Sequence, residues 1–183
     1  MTVLEIIRAA ATELGIADDV DDYLEGVSSV GEADTENLLR CFNLVENELA
    51  LDYLPLYAEE EFETETGVIY FSEFSRAAVR VVKVTDGYGN ETAFKLFPEY
   101  LKTQGGKVVV RYTYTPTAKT LTDESEFKTL ASVRLFAYGI AAEYSLASGL
   151  FEEAAVWDKK YKEAIACAYR SRPSKKIASR RWV

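Results

Sequence analysis

Residues 130–146, L-A-S-V-R-L-F-A-Y-G-I-A-A-E-Y-S-L, decide the fold of this 183-residue chain. Leu130, Val133, Leu135, Phe136, Ala137, Tyr138, Ile140, Ala141, Ala142, Tyr144 and Leu146 spread around the whole axis of a helix instead of along one stripe. A helix that is apolar all round is buried on more than one side. Gly139, Ala141 and Ala142 are small enough to let a second backbone approach. One side is expected to meet a sheet, and the other the next helix or a neighbouring subunit. Arg134, Phe136, Tyr138 and Glu143 are therefore candidate subunit-interface residues. Thr122, with Ser125 or Glu126 following, is placed to cap this helix, which gives a span of 122–148. Gly149 makes a tight corner. Residues 150–169 then form an amphipathic helix with Ala154, Trp157, Tyr161, Ala164, Ile165 and Ala168 on its stripe.

Working towards the N-terminus, residues 2–14 read as a helix. Its apolar face is Leu4, Ile7, Ala11 and Leu14, Thr2 and Glu5 form a capping box, and Gly15 ends it. Asp18 to Gly26 reads as a short helix opened by an Asp and stopped by Gly26. A calcium loop needs oxygen ligands at alternating positions, a central Gly and a closing Glu, and this stretch does not supply that order. Residues 34–53 form a further helix with Leu38, Phe42, Val45, Leu49 and Tyr53 on one stripe, Leu39 widening it, and Asp34 or Thr35 as cap.

Between the helices, about 56–115 reads as a β-rich insertion. Tyr57 to Thr66 alternates, so Glu59, Glu61, Glu63 and Glu65 fall on one side of an extended strand. That side faces water, a basic partner or a channel for DNA, whose phosphates it would repel. The solvated edge of a sheet, kept from aggregating by its charge, is the simpler of these. Strands follow at Val68–Phe71 and Val79–Val84. Asp86 to Asn90 turns the chain, and Thr92–Phe97 returns as a hairpin. Pro98 to Leu101 reads as one helical turn. In Lys107–Tyr114, Val108, Val110, Tyr112 and Tyr114 share one face. The fold class is α+β, with a helical domain over 1–170 that carries a small antiparallel sheet, and an extended tail over 171–183.

Charge divides along the chain. Residues 1–66 hold eighteen acidic and two basic residues, net −16, while residues 67–183 carry net +7. Two differently charged faces orient partners and favour head-to-tail contact. After Tyr169 the tail is basic and ends on an aromatic. Lys175, Lys176, Ile177, Arg180, Arg181, Trp182 and Val183 read as a tether for another protein, and a frayed terminus is the plainer alternative.

Several chemistries lack their residues. The chain has no His, the commonest general base and transition-metal ligand. No nucleophile elbow or Walker motif occurs. Cys41 and Cys167 stand far apart, with no metal spacing and no disulfide framework, which is the usage of a reducing compartment. No apolar run is long enough to span a bilayer, and the start does not read as a secretory signal. The expectation is a non-enzymatic binding or structural protein with no cofactor and no metal.

The order of elements resembles bacteriophage head–tail adaptor proteins, also called connectors. Residues 67–75 (G-V-I-Y-F-S-E-F-S), Lys83–Asp86, 94–101 (F-K-L-F-P-E-Y-L), 106–112 (G-K-V-V-V-R-Y), 141–149 (A-A-E-Y-S-L-A-S-G), 152–157 and Ser179–Trp182 carry the resemblance. It implies a structural virion protein that forms a ring, usually of twelve copies, beneath the portal. Such a ring extends the channel through which DNA passes and joins the head to the tail, stopper or terminator protein. It also implies a place in the neck of the virion, the host cytoplasm during assembly, and a portal-binding tail. The alternative is a regulatory or chaperone-like module whose basic tail binds an acidic partner or nucleic acid.

Overall fold

The computed structural model describes residues 1–170, the side chains of the last two excepted. Five α-helices and two three-stranded antiparallel sheets divide into two compact units. Residues 1–42 and 121–170 belong to the first, and residues 43–120 form the second, inserted one.

The first unit is helical. It contains α1 (Val3–Leu14), α2 (Ala17–Leu24), the start of α3 (Glu32–Glu48), α4 (Val133–Ala147) and α5 (Phe151–Arg170). α4 lies at its centre. Leu135, Phe136, Ala137, Gly139, Ile140, Ala141 and Ser145 are buried on it. α5 covers one side, as the all-round apolar pattern anticipates, and α1 covers another. The side expected to meet a sheet is thus filled by a helix. Phe136 stacks at 5.4 Å from Phe42 of α3 and 6.0 Å from Phe127. The Tyr144 hydroxyl donates a 2.6 Å bond to Asp34. Gly149 takes a left-handed φ of 76° at the corner into α5, a conformation that costs other residues. On α5, Ala154, Tyr161 and Ile165 are buried and Trp157, Ala164 and Ala168 half-buried, as the stripe predicts.

Two helix starts and one buried face differ from the sequence reading. α4 begins at Val133 instead of 122, with Ser132 as its cap accepting from the Leu135 N–H at 3.2 Å. Residues 121–132 run as turns because they are tied to the start of α1. Val3 donates to the Asp123 carbonyl, Ser125 donates to Met1, and Phe127 goes fully into the core. α3 begins at Glu32, and Thr35, instead of capping, folds its hydroxyl back on Gly31 at 2.7 Å. The buried face of α1 is Val3, Ile6, Ile7, Ala10 and Ala11, so Leu4 sits at its margin.

The second unit holds the end of α3, a π-helical turn (Leu49–Tyr53) and both sheets. Asn43 clasps its two ends. The side-chain amide donates to the Lys119 carbonyl at 3.1 Å and its oxygen accepts from the Lys119 N–H at 2.6 Å. The larger sheet has the order β1 (Leu56–Thr64), β6 (Gly106–Tyr114), β3 (Ala78–Asp86). Val108, Val110, Tyr112 and Tyr114 are all buried on one face of β6, as their alternation requires. The smaller sheet has the order β2 (Val68–Tyr70), β5 (Tyr100–Lys102), β4 (Lys95–Leu96). Residues 98–101, expected as a helical turn, lead into its central strand. The expected return at 92–97 shrinks to a Thr85–Glu91 bridge and one bond from Thr92 to Val84. Lys95–Leu96 then pairs with β5, Leu96 opposite Leu101.

Candidate functional site

A groove of about 560 Å³ runs between the start of α4 and the end of α5 in the helical unit. Leu130, Leu135, Ala164 and Ala168 give it an apolar floor, and Arg134, Lys160 and Glu163 its charged rim. Tyr138 and Trp157 face each other across the helix pair, ring centres 5.8 Å apart. The Lys160 ammonium lies 3.9 Å from the Trp157 ring centre and 5.4 Å from Tyr138. The Arg134 guanidinium approaches the same tyrosine at 5.8 Å. Aromatic faces hold cations by their quadrupole, so both positive groups are fixed along the lip. The N-terminus of α4 adds partial positive charge at the same end. The groove can receive an apolar segment with acidic flanks.

The four interface candidates on α4 separate. Arg134 and Tyr138 line the groove. Phe136 is fully enclosed within its own chain and offers nothing to a neighbour. Glu143 is half-buried, and its charge acts on Cys41. Burial first, then Glu143, push the Cys41 thiol up to about 11, against a smaller opposing effect of Arg40. That thiol is inert packing at neutral pH. Cys167, by contrast, is exposed and lines the groove.

The acidic row of β1 is only partly as expected. Glu59, Glu61 and Glu63 share the exposed face, while Glu65 lies in the bend beyond the strand. Basic residues on β6 answer two of them. Lys107 reaches Glu61 at 2.6 Å and Arg111 reaches Glu59 at 3.6 Å. On this face, Glu59 and Glu61 are paired with basic residues and do not stand as free negative charges. Glu60 points to the opposite side. Partial burial opposes its ionisation, but bonds from the Ser75 hydroxyl and backbone N–H and the Tyr112 hydroxyl outweigh that and hold its carboxyl below the ordinary value.

No family model and no curated protein matches the chain. The tether residues Lys175, Lys176, Ile177, Arg180, Arg181, Trp182 and Val183 lie outside the described residues. Among the described residues no group of His, Cys, Asp or Glu is placed to hold a metal ion, and no helix is long and apolar enough to cross a membrane.

Sequence reading missed a second surface. At the corner between α2 and α3, Val27 and Val30 are 71% and 70% exposed. Asp19, Asp22, Glu25 and Glu32 are exposed around them. The loop is held firmly. The Val27 and Ser28 N–H groups both donate to the Asp22 carbonyl, and Val30 donates to the Ser28 hydroxyl. Gly31 is required, since a Cβ there would stand 2.1 Å from the Asp19 carbonyl oxygen. Two isolated valines between acidic residues carry no periodic signal, so only the fold reveals them as a display.

Proposed function

We propose that this chain is a structural, non-enzymatic assembly module of the head–tail adaptor kind. Copies form a ring, of twelve in the resembled family, below a portal protein and above a tail, stopper or terminator protein. DNA passes through without sequence-specific contact. The place of action is the neck of a virion, reached from the host cytoplasm, with no cofactor and no membrane partner. The observation that carries this reading is the layout. N-terminal helices and a C-terminal helix pair share one helical unit, and a β-rich unit is inserted between them, which is the order of parts in the resembled family. The groove on α4 and α5 and the acidic corner after α2 support it, because both are docking features without catalytic geometry.

In this reading the tail binds the portal. Trp182 fills a pocket there, contributing about 2–3 kcal/mol by apolar burial, and Lys175, Lys176, Arg180 and Arg181 orient it. One tail binds weakly, and many on one ring act together through effective concentration. The test is native mass spectrometry of the purified chain, alone and with portal, beside imaging of virion necks. Ring-sized species, alone or on portal, and density for the chain at the neck are expected. A stable monomer or dimer that ignores portal overturns the reading and favours the regulatory module.

A further inference from the structure

We infer that the acidic valine corner of one copy docks into the α4–α5 groove of the next, so that copies assemble head to tail. This rests on the ring reading for the expectation that copies assemble; the surfaces come from the structure itself.

The two surfaces match in kind. The corner presents Val27 and Val30 ringed by Asp19, Asp22, Glu25 and Glu32. The groove presents an apolar floor with Arg134 and Lys160 on its lip and Glu163 as its single carboxylate. Its volume suits a few side chains, within the ~300–1,000 Å³ of sites that enclose small ligands. Both surfaces stand exposed on the same chain, so they are not satisfying each other within it. Arg8 is already paired with Asp21 at 2.9 Å and reaches Glu25 of the corner only at 4.0 Å. The corner is also preorganised by the Asp22 carbonyl and by the close approach at Gly31. Little ordering entropy remains to be lost on docking. A contact between two different patches of identical copies is heterologous. It propagates, and it closes into a ring when the rotation allows. A contact of the corner with itself, or of the groove with itself, would stop at a dimer and set like charges together.

Native Cys167 makes the contact testable, since it lines the groove while Cys41 is buried. Val30→Cys, and separately Val27→Cys, are oxidised mildly in the full chain at high concentration. At least one should give a ladder of disulfide-linked species beyond the dimer, and Cys167→Ser should abolish it. Independently, Arg134→Glu with Lys160→Glu should weaken self-association tenfold or more by sedimentation. Mixing that variant with Asp22→Lys/Glu25→Lys should restore a complex between the two. Cross-links that stop at dimers, a ladder indifferent to Cys167→Ser, or assembly unchanged by charge reversal overturn the inference. If rings still form on portal in that case, the adaptor reading stands without it. A chain that stays monomeric at every concentration and on portal overturns both.

Discussion

At the scale of single residues, burial decides which side chains stabilise the chain and which remain for contact. Phe136 was a candidate for a subunit interface, and its ring instead sits between Phe42 and Phe127. Phe136→Ala should cost about 3–5 kcal/mol of stability in urea unfolding of the isolated protein; a loss confined to assembly would contradict the core placement. Ser145 has the opposite character. Its hydroxyl is fully buried on α4 with no hydrogen-bond partner, so Ser145→Ala should leave stability unchanged or raise it. Three acids, Tyr112 and Cys41 buried and Tyr144 half-buried, set the alkaline limit. Burial and the Glu60 bond raise Tyr112 to about 12, burial and Asp34 raise Tyr144 to about 12, and Cys41 stands at about 11. A pKa raised on folding favours the protonated form. Its contribution is complete below the unfolded values of about 8.5 for Cys and 10 for Tyr. It is lost as pH climbs through 11 to 12. Urea midpoints should therefore fall across that window, and Tyr144→Phe should blunt the fall. Glu60 acts on the acid side. Its lowered pKa gives stability above the ordinary carboxylate range, which disappears as pH drops through the folded value. The sequence showed that Phe136 was apolar but not which neighbour would enclose it, because Phe42 is distant along the chain and Phe127 lies in turns that the sequence reading placed inside the same helix.

At the scale of elements, periodicity located α1, α3, α4 and α5; the short α2 was read instead from an Asp cap and Gly26, although its cap position is Ile16 with no side-chain bond; and tertiary ties moved the ends. On the stripe, Leu38, Phe42, Val45 and Leu49 are buried and Tyr53 is half-buried, and the alternating face of β6 is buried. These patterns are local and repeat several times, so chance substitutions do not hide them. The start of α4 was misplaced by eleven residues because Thr122, Ser125 and Glu126 have cap chemistry in sequence. In the fold, residues 123–125 instead bond to Met1–Val3 at the start of the chain. Ser132 is the working cap, and Ser132→Ala should cost about 1 kcal/mol, measured by thermal unfolding. Thr122→Ala, with no helix there to cap, should lose no cap energy. The small sheet was the least legible part. Its strands are two or three residues long, too short for alternation to show, and β4 pairs with β5 by tertiary choice. The groove was half legible. Tyr138, Trp157 and Ala164 fall on expected faces, and Lys160 over Trp157 is a local i,i+3 contact on α5, but that Lys160 would also approach Tyr138 depends on how α4 and α5 pack.

At the scale of the whole molecule, charge is the property that sequence states most plainly and structure redistributes most. The split of −16 against +7 invites a picture of one acidic and one basic end. Instead, part of it is neutralised inside the β-rich unit, where Lys107 and Arg111 answer Glu61 and Glu59 across the β1–β6 pair. The proposed contact uses the charges of the helical unit, at the acidic corner and the basic lip of the groove. Exposed pairs of this kind add little affinity each, but they steer encounter and fix register. The apolar part of the contact, Val27 and Val30 on the groove floor, is indifferent to salt or strengthened by it. Assembly of the proposed head-to-tail kind should therefore slow steeply between low salt and 1 M, where the screening length falls to about 3 Å, while the final extent of assembly drops far less. Stopped-flow light scattering for the rate and sedimentation for the extent separate the two. An association rate that does not change with salt would remove electrostatic steering and leave shape and apolar burial as the only source of order between copies.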